Sequence, residues 1–293
     1  MGYDHYDLFA HVDSHLTRPK IKTNREKRFY PSEASVVYTD SFGDKVTQGT
    51  CLRASYFRLA EEFVGEPYDA RTQFIFEMGN RVEAMLISKW KEMGVWIDNN
   101  VKFIDKKHNI SGEIDAVLAE PPNGQLYGVE VKSFYGYYSE SELFGNRKKK
   151  GFPKINQLLQ TLIYTDNFKN LLPYFRMVYF ARDSVKRKTF LVELEGNQPK
   201  VDGEPVTEFT MDDIYARYSK LQSCLDAGVI PPGDYELQYP REKIIDFYSK
   251  GKIGKTKYEK WQRGKLKKHE NIGDWQCSYC RFSEVCYGSN KDL

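Results

Sequence analysis

No apolar run in this sequence approaches the length of a membrane span, so a helix through a bilayer is not expected. The opening residues, MGYDHYDLFAHVD, lack the basic start and apolar stretch of a secretory signal. Position 6 is Tyr rather than Ser or Thr, so the myristoylation pattern that Gly2 would begin fails. The expected compartment is therefore cytoplasmic. Charge of one sign is scarce as well. Lys and Arg number 44 against 41 Asp and Glu, a net +3, which argues against a uniformly basic polyanion binder and shifts attention to local clusters. The sequence has no internal repeat and no segment that reads as a linker. Cysteine is sparse, at five residues; in a reducing compartment these suggest metal ligands more than disulfides.

What is present suits a globular chain. With 293 residues, 40% of them hydrophobic, a sizeable core can be buried in one large domain or two small ones. Residues 1–45 are polar and mixed and read as an arm or irregular cap; residues 46–293 read as a single domain. Residues 52–64 and 70–92 have helical spacing, the second with Ile75, Met78, Val82 and Leu86 as an apolar stripe. Strands are predicted over 95–104, 110–118 and 126–134, and Asn123-Gly124 is a hairpin signal between the last two. A helix over 154–167 turns Ile155, Leu158, Leu159, Leu162 and Ile163 inward. Strands over 174–181 and 189–194 and helices over 210–226 and 241–248 follow. This order gives an α/β or α+β core with helices flanking a mixed sheet.

The segment GVEVKSFYGYY, residues 128–138, puts Glu130 and Lys132 on one face of a strand. If Asn123-Gly124 is a two-residue turn, Asp115 lies opposite Lys132, with Glu130 its diagonal neighbour at roughly 7–8 Å between backbones. Two carboxylates and an ammonium then converge. Such oxygens suit Mg²⁺, and an amine beside them suits an attacking water and a charged phosphorus centre. These are the parts of metal-assisted phosphodiester hydrolysis. A surface strand with an ordinary ion pair is the alternative.

Gly112-Glu-Ile-Asp115, Glu130-Val-Lys132 and Gln160-Thr-Leu-Ile-Tyr164 resemble the successive motifs of the PD-(D/E)XK nuclease superfamily, most closely its RecB-like exonucleases. The resemblance implies a restriction-endonuclease-like core. It also implies Asp115, Glu130 and the Val131 carbonyl as ligands of Mg²⁺ or Mn²⁺, with Lys132 positioning or activating water. Gln160 and Tyr164, one helical turn apart, would support the site or the strand. Where the RecB-like pattern has a histidine four residues after a glycine, this sequence has Gly79-Asn-Arg-Val-Glu83. Glu83 is expected as an additional ligand; an exposed helix glutamate is the alternative.

Cys277-Ser-Tyr-Cys280 and Cys286 cluster near the C-terminus, and Cys51 is the remaining candidate for a fourth ligand. Cys224 reads as a buried, inert thiol. One early cysteine joined to a late triplet resembles the iron–sulfur branch of the superfamily, which includes CRISPR-associated and AddB-type nucleases. A structural [4Fe–4S] cluster on Cys51, Cys277, Cys280 and Cys286 is what this implies, in a helical lobe joining the N- and C-terminal parts. Tetrahedral zinc, with Cys51 or His269 as fourth ligand, competes with it.

Two surfaces suit a polyanion. Phe134, Tyr135, Tyr137 and Tyr138 precede the run Arg147–Lys150, and a basic run from Lys250 to Lys268 has Tyr258 and Trp261 interleaved, with only Glu259 opposing it in sequence. The resemblance makes the expected partner DNA, as single strands or ends. The expected activity is a metal-dependent deoxyribonuclease, an exonuclease in DNA recombination, repair or processing; a non-catalytic or zinc-stapled DNA-binding scaffold, in a recombination or CRISPR adaptation complex, is the rival reading.

Overall fold

The computed structural model describes residues 8–17, 27–60, 62–147, 149–266 and 271–288. They begin with helix α1 (Leu8–Leu16), a 3-10 turn (Pro31–Glu33), strands β1 (Ser35–Thr39) and β2 (Lys45–Gly49), and helices α2 (Leu52–Leu59) and α3 (Ala70–Glu92). Next come β3 (Trp96–Asp105), β4 (Ile110–Glu120), β5 (Gln125–Phe134), α4 (Tyr137–Phe144) and the short strands β6 (Gly145–Asn146) and β7 (Lys149–Lys150). Helix α5 (Ile155–Phe168) precedes β8 (Phe175–Ala181), β9 (Arg187–Glu195), β10 (Gln198–Val201) and β11 (Glu204–Pro205). Helices α6 (Met211–Asp226), α7 (Arg241–Ser249), α8 (Lys255–Gln262), α9 (Trp275–Ser278) and α10 (Ser283–Tyr287) follow. Among the described residues, no helix is long and apolar enough to cross a membrane.

The chain divides into two compact units, residues 1–34 with 67–216 and residues 35–66 with 217–293. The division does not fall at residue 45, where the sequence suggested an arm giving way to one domain. Part of the supposed arm is the antiparallel β1–β2 hairpin. Its strands alternate little between buried and exposed, so the two-residue period that reveals a strand is faint there.

The first unit holds a seven-stranded mixed sheet in the order β11-β10-β9-β8-β5-β4-β3. All neighbours are antiparallel except β5 and β8, and a parallel pair needs a crossover, here containing α5. Leu158, Leu159, Leu162 and Ile163 of α5 are wholly buried. Val82 of α3 packs with Ala116, Leu118, Val129 and Val131. Since Val129 and Val131 meet α3, strand alternation turns Glu130 and Lys132 the other way, toward α5. The result is a mixed α/β fold, a large mixed sheet flanked by helices.

Helix α3 starts where its cap dictates: the Asp69 carboxylate accepts from the Thr72 N–H at 2.8 Å. Its predicted stripe is only half covered. Ile75 and Met78 are 43% and 47% exposed, while Val82 is buried and Leu86 packs against the sheet cluster.

The β4–β5 hairpin departs from its predicted register. Glu120 pairs with Gln125 and Ala116 with Val129, leaving a four-residue turn of Pro121, Pro122, Asn123 and Gly124 rather than two. The Gly124 N–H reaches the Glu120 carbonyl at 2.8 Å, and the Asn123 side chain takes the Gln125 N–H at 3.0 Å. Gly124 sits at φ 71°, the left-handed region that glycine enters without strain. Extended past Ala116, this register would bring Asp115 against Glu130 rather than Lys132.

Candidate functional site

The two strands stop pairing at Ala116 and Val129. Just beyond, Asp115 takes the place of a backbone acceptor: its Oδ2 receives the Val131 N–H at 2.6 Å. Strand β5 continues along β8, which holds Glu130, Val131 and Lys132 in ladder positions beside Met177, Val178 and Tyr179. Glu130 is 1% exposed, and the Lys132 ammonium lies 2.5 Å from its Oε1. Lys132 also donates to Gln160 Oε1 at 3.1 Å, and Gln160 Nε2 donates to the Tyr164 hydroxyl at 2.8 Å. Glu130 Oε2 is buried with no hydrogen-bond partner.

Each of the three predicted carboxylates feels another. Burial, then the charge of Glu130, pushes Asp115 from 3.8 up to about 8 against the pull of Lys132. Burial, then Asp115, pushes Glu83 from 4.5 up to about 7. Burial raises Glu130 too, with Lys132 opposing and Glu83 adding. Burial works against the Lys132 ammonium, but Glu130 and Asp115 outweigh it and hold its pKa above the usual lysine value. The structure thus brings Glu83, Asp115, Glu130, Val131, Lys132, Gln160 and Tyr164 into one neighbourhood.

Tyr164 belongs to the core as much as to the site. It is buried, edge-on to Phe103 with ring centroids 5.7 Å apart, while its hydroxyl accepts from Gln160. Glu113 was missed. Its Oε1 accepts from Asn100 Nδ2 at 2.6 Å, and its charge raises both Glu83 and Asp115. The Gly-Glu-Ile-Asp spacing, which puts Glu113 two residues before Asp115, was the available signal. Glu83, Glu113 and Asp115 line a cleft of about 540 Å³ with Asn80, Asn99 and Asn100.

The second unit gathers the cysteines. Cys277 and Cys280 feel both Cys51 and one another or Cys286, and Cys286 feels Cys51. Cys51 precedes α2, whose Leu52 N–H is held by Asp234 Oδ2 at 2.7 Å. Asp234 in turn pairs with buried Arg217 at 2.5 Å, and its own N–H points at Cys51 Sγ at 3.5 Å. Farther along, Arg281 Nε donates to the Glu66 carbonyl at 2.6 Å, and the Phe282 N–H points at Cys280 Sγ at 3.4 Å. Burial pushes the Cys277 thiol up to about 11 and raises Cys280 and Cys286, with an Arg53 hydrogen bond moderating Cys286. Cys224, expected buried, is partly exposed. His269 lies outside the described residues. Among the described residues, no group of three or more His, Cys, Asp or Glu side chains is arranged to hold a metal ion.

The two basic surfaces fare differently. Phe134 is buried, but Tyr135, Tyr137 and Tyr138 are exposed, as are Arg147, Lys149 and Lys150; Lys148 lies outside the described residues. The 250–268 run is less free than its sequence implies. Lys250 pairs with Asp44 and Asp246, and Lys252 with Asp40 and Asp44, acids that local charge counting does not see. Tyr258 and Trp261 are half-buried against Ile244, Ile253 and Ile272, and Tyr258 stacks on Tyr248 at 3.8 Å, so part of each ring is already engaged. Lys267 and Lys268 lie outside the described residues.

No family model matches the chain, and no curated protein matches it. Among solved structures, the crystal structure of SSO0001 is similar to it at 15% sequence identity over 97% of this chain and 94% of that one, with a TM-score of 0.42. So loose a likeness transfers no activity.

Proposed function

We propose that this protein is a Mg²⁺- or Mn²⁺-dependent nuclease of the PD-(D/E)XK kind that hydrolyses phosphodiester bonds in DNA, at single strands or ends. The observation that carries the reading is Glu130 Oε2. A carboxylate oxygen removed from water and left without a donor costs on the order of 1–3 kcal/mol or more. It lies among Asp115 and Glu83, whose raised pKa values mark the same shortage of positive charge. A cation answers that shortage, and an all-oxygen donor set suits a hard divalent one. Asp115, Glu130 and Glu83 would hold it, with the Val131 carbonyl as a further oxygen.

When bound, such an ion polarises a phosphate oxygen and supplies a hydroxide at neutral pH. Glu130 and Asp115 favour the charged form of Lys132, which would position or activate water beside the phosphate. Glu130 and Gln160 aim its ammonium, and Tyr164 holds Gln160. Exposed Tyr135, Tyr137 and Tyr138, with Arg147, Lys149 and Lys150, suit a DNA strand.

The same reading assigns a structural [4Fe–4S] cluster to Cys51, Cys277, Cys280 and Cys286. Thiols that burial makes costly to ionise want a cation, and soft sulfur donors suit iron. The Phe282 N–H aimed at Cys280 favours the thiolate form there.

End-labelled single- and double-stranded DNA with Mg²⁺ or Mn²⁺ tests the activity. Lys132→Ala and Asp115→Ala should each lower cleavage by at least about a hundredfold with folding retained. Undiminished cleavage in both purified variants refutes the site. Metal analysis after anaerobic purification tests the cluster: iron with inorganic sulfide supports it, and stoichiometric zinc replaces it with a zinc staple.

A further inference from the structure

The cleft on the cysteine-bearing unit has no role in the reading above. It encloses about 510 Å³ between Thr256, Lys257 and Lys260 of α8 and Gly273, Trp275 and Tyr279. Trp275 is 65% exposed and Tyr279 82%, two large rings side by side at the surface of one cleft. Their centroids stand 6.4 Å apart with planes at 60°, tilted rather than stacked on one another. Helix α8 explains the other wall. Tyr258 and Trp261, three apart, face the apolar cluster, which turns Lys257 and Lys260, also three apart, toward the cleft.

The aromatic wall is fixed in place. The Asp274 N–H bonds the Glu236 carbonyl at 2.7 Å, the Glu236 N–H bonds Asp274 Oδ2 at 2.9 Å, and the Tyr239 N–H bonds the Ile272 carbonyl at 2.8 Å. A Cβ at Gly273 would meet the Leu237 carbonyl oxygen at 2.1 Å, so only glycine permits this approach. Asp274, the acid nearest the rings in sequence, is taken up by Tyr239 and Glu236.

The geometry points to this cleft as a binding site for a single-stranded polynucleotide, with Trp275 and Tyr279 stacking on unpaired bases and Lys257 and Lys260 on the phosphates. Pre-positioned rings supply sequence-tolerant affinity, and lysines in one cleft supply the charge complement. Duplex bases are already stacked and offer these rings nothing. The inference does not depend on cleavage chemistry, so it is tested with metal chelated.

Tryptophan fluorescence is titrated with short oligothymidylate and oligouridylate in EDTA. Quenching that saturates and disappears in Trp275→Leu supports the site; the DNA and RNA arms tell which sugar is preferred. Tyr279→Ala should weaken binding by about fivefold or more. Lys257→Glu, on the opposite wall and remote from the cysteines in sequence, should flatten the dependence of log affinity on log salt by about 0.7 for each phosphate no longer neutralised. Each variant is checked for an unchanged circular dichroism spectrum and metal content. Wild-type binding in both Tyr279→Ala and Lys257→Glu overturns the proposal. So does quenching by anionic vesicles or an acidic peptide with none by either oligonucleotide.

Discussion

Glu130 and its neighbours make a residue-scale prediction that needs no substrate. Asp115 and Glu83 hold their protons in the folded chain up to about 8 and about 7, against 3.8 and 4.5 ordinarily. Between those limits the native state binds protons that the unfolded state has released. Their contribution to stability is therefore whole below about pH 4 and drains as pH rises through 7 to 8. The metal-free protein should melt at progressively lower temperature from pH 5 to 8, and Asp115→Asn with Glu83→Gln should flatten that slope. If Mg²⁺ is held there as proposed, it competes with those protons and should raise the melting temperature more at pH 8 than at pH 5. A metal-free melting profile that rises toward pH 8 would contradict this account. At the same scale, Lys132 could be read from sequence because side chains two apart on a strand share a face. Tyr164 was reached only through the resemblance, because its hydroxyl is used by Gln160 while its ring belongs to the core, and a helical period does not separate the two.

Among elements, β5 carries the site, and its seat beside β8 is narrow. A Cβ at Gly128 would fall 2.1 Å from the Phe175 ring. Gly128→Ala should cost about 1–3 kcal/mol by overpacking, read as a lower denaturant midpoint with an unchanged slope. Helices α3 and α5 were legible nearly to the residue, since apolar residues recur at helical spacing along both. The β4–β5 hairpin was legible in kind but not in register. Asn-Gly signals a turn, yet two prolines before it lengthen the loop by two residues. Because a strand repeats every two residues, that difference leaves each side chain on its own face, and the convergence of Asp115 with Glu130 survives. Strands β1, β2, β10 and β11 were not legible, being short or without contrast between their faces. The basic run failed differently: charge counting along the chain does not see Asp40 and Asp44.

For the whole molecule, the residue that tests the proposed cluster is Cys51, which stands apart in sequence from Cys277, Cys280 and Cys286. Cys51→Ser should lower bound metal and admit protease into residues 217–288 while the β3–β11 region stays resistant. Cys224→Ser should change neither. Full metal content and unchanged resistance in Cys51→Ser would remove it from the ligand set. The division of the chain also orders its synthesis. The middle segment supplies all seven strands of the large sheet before any of Cys277, Cys280 and Cys286 has been made. The other unit draws on residues 35–66 and 217–293, so its early half must wait on the ribosome for its late half. A message cut short before Cys277 would leave the β1–β2 hairpin without the late half of its own unit, although every strand of the large sheet had been made.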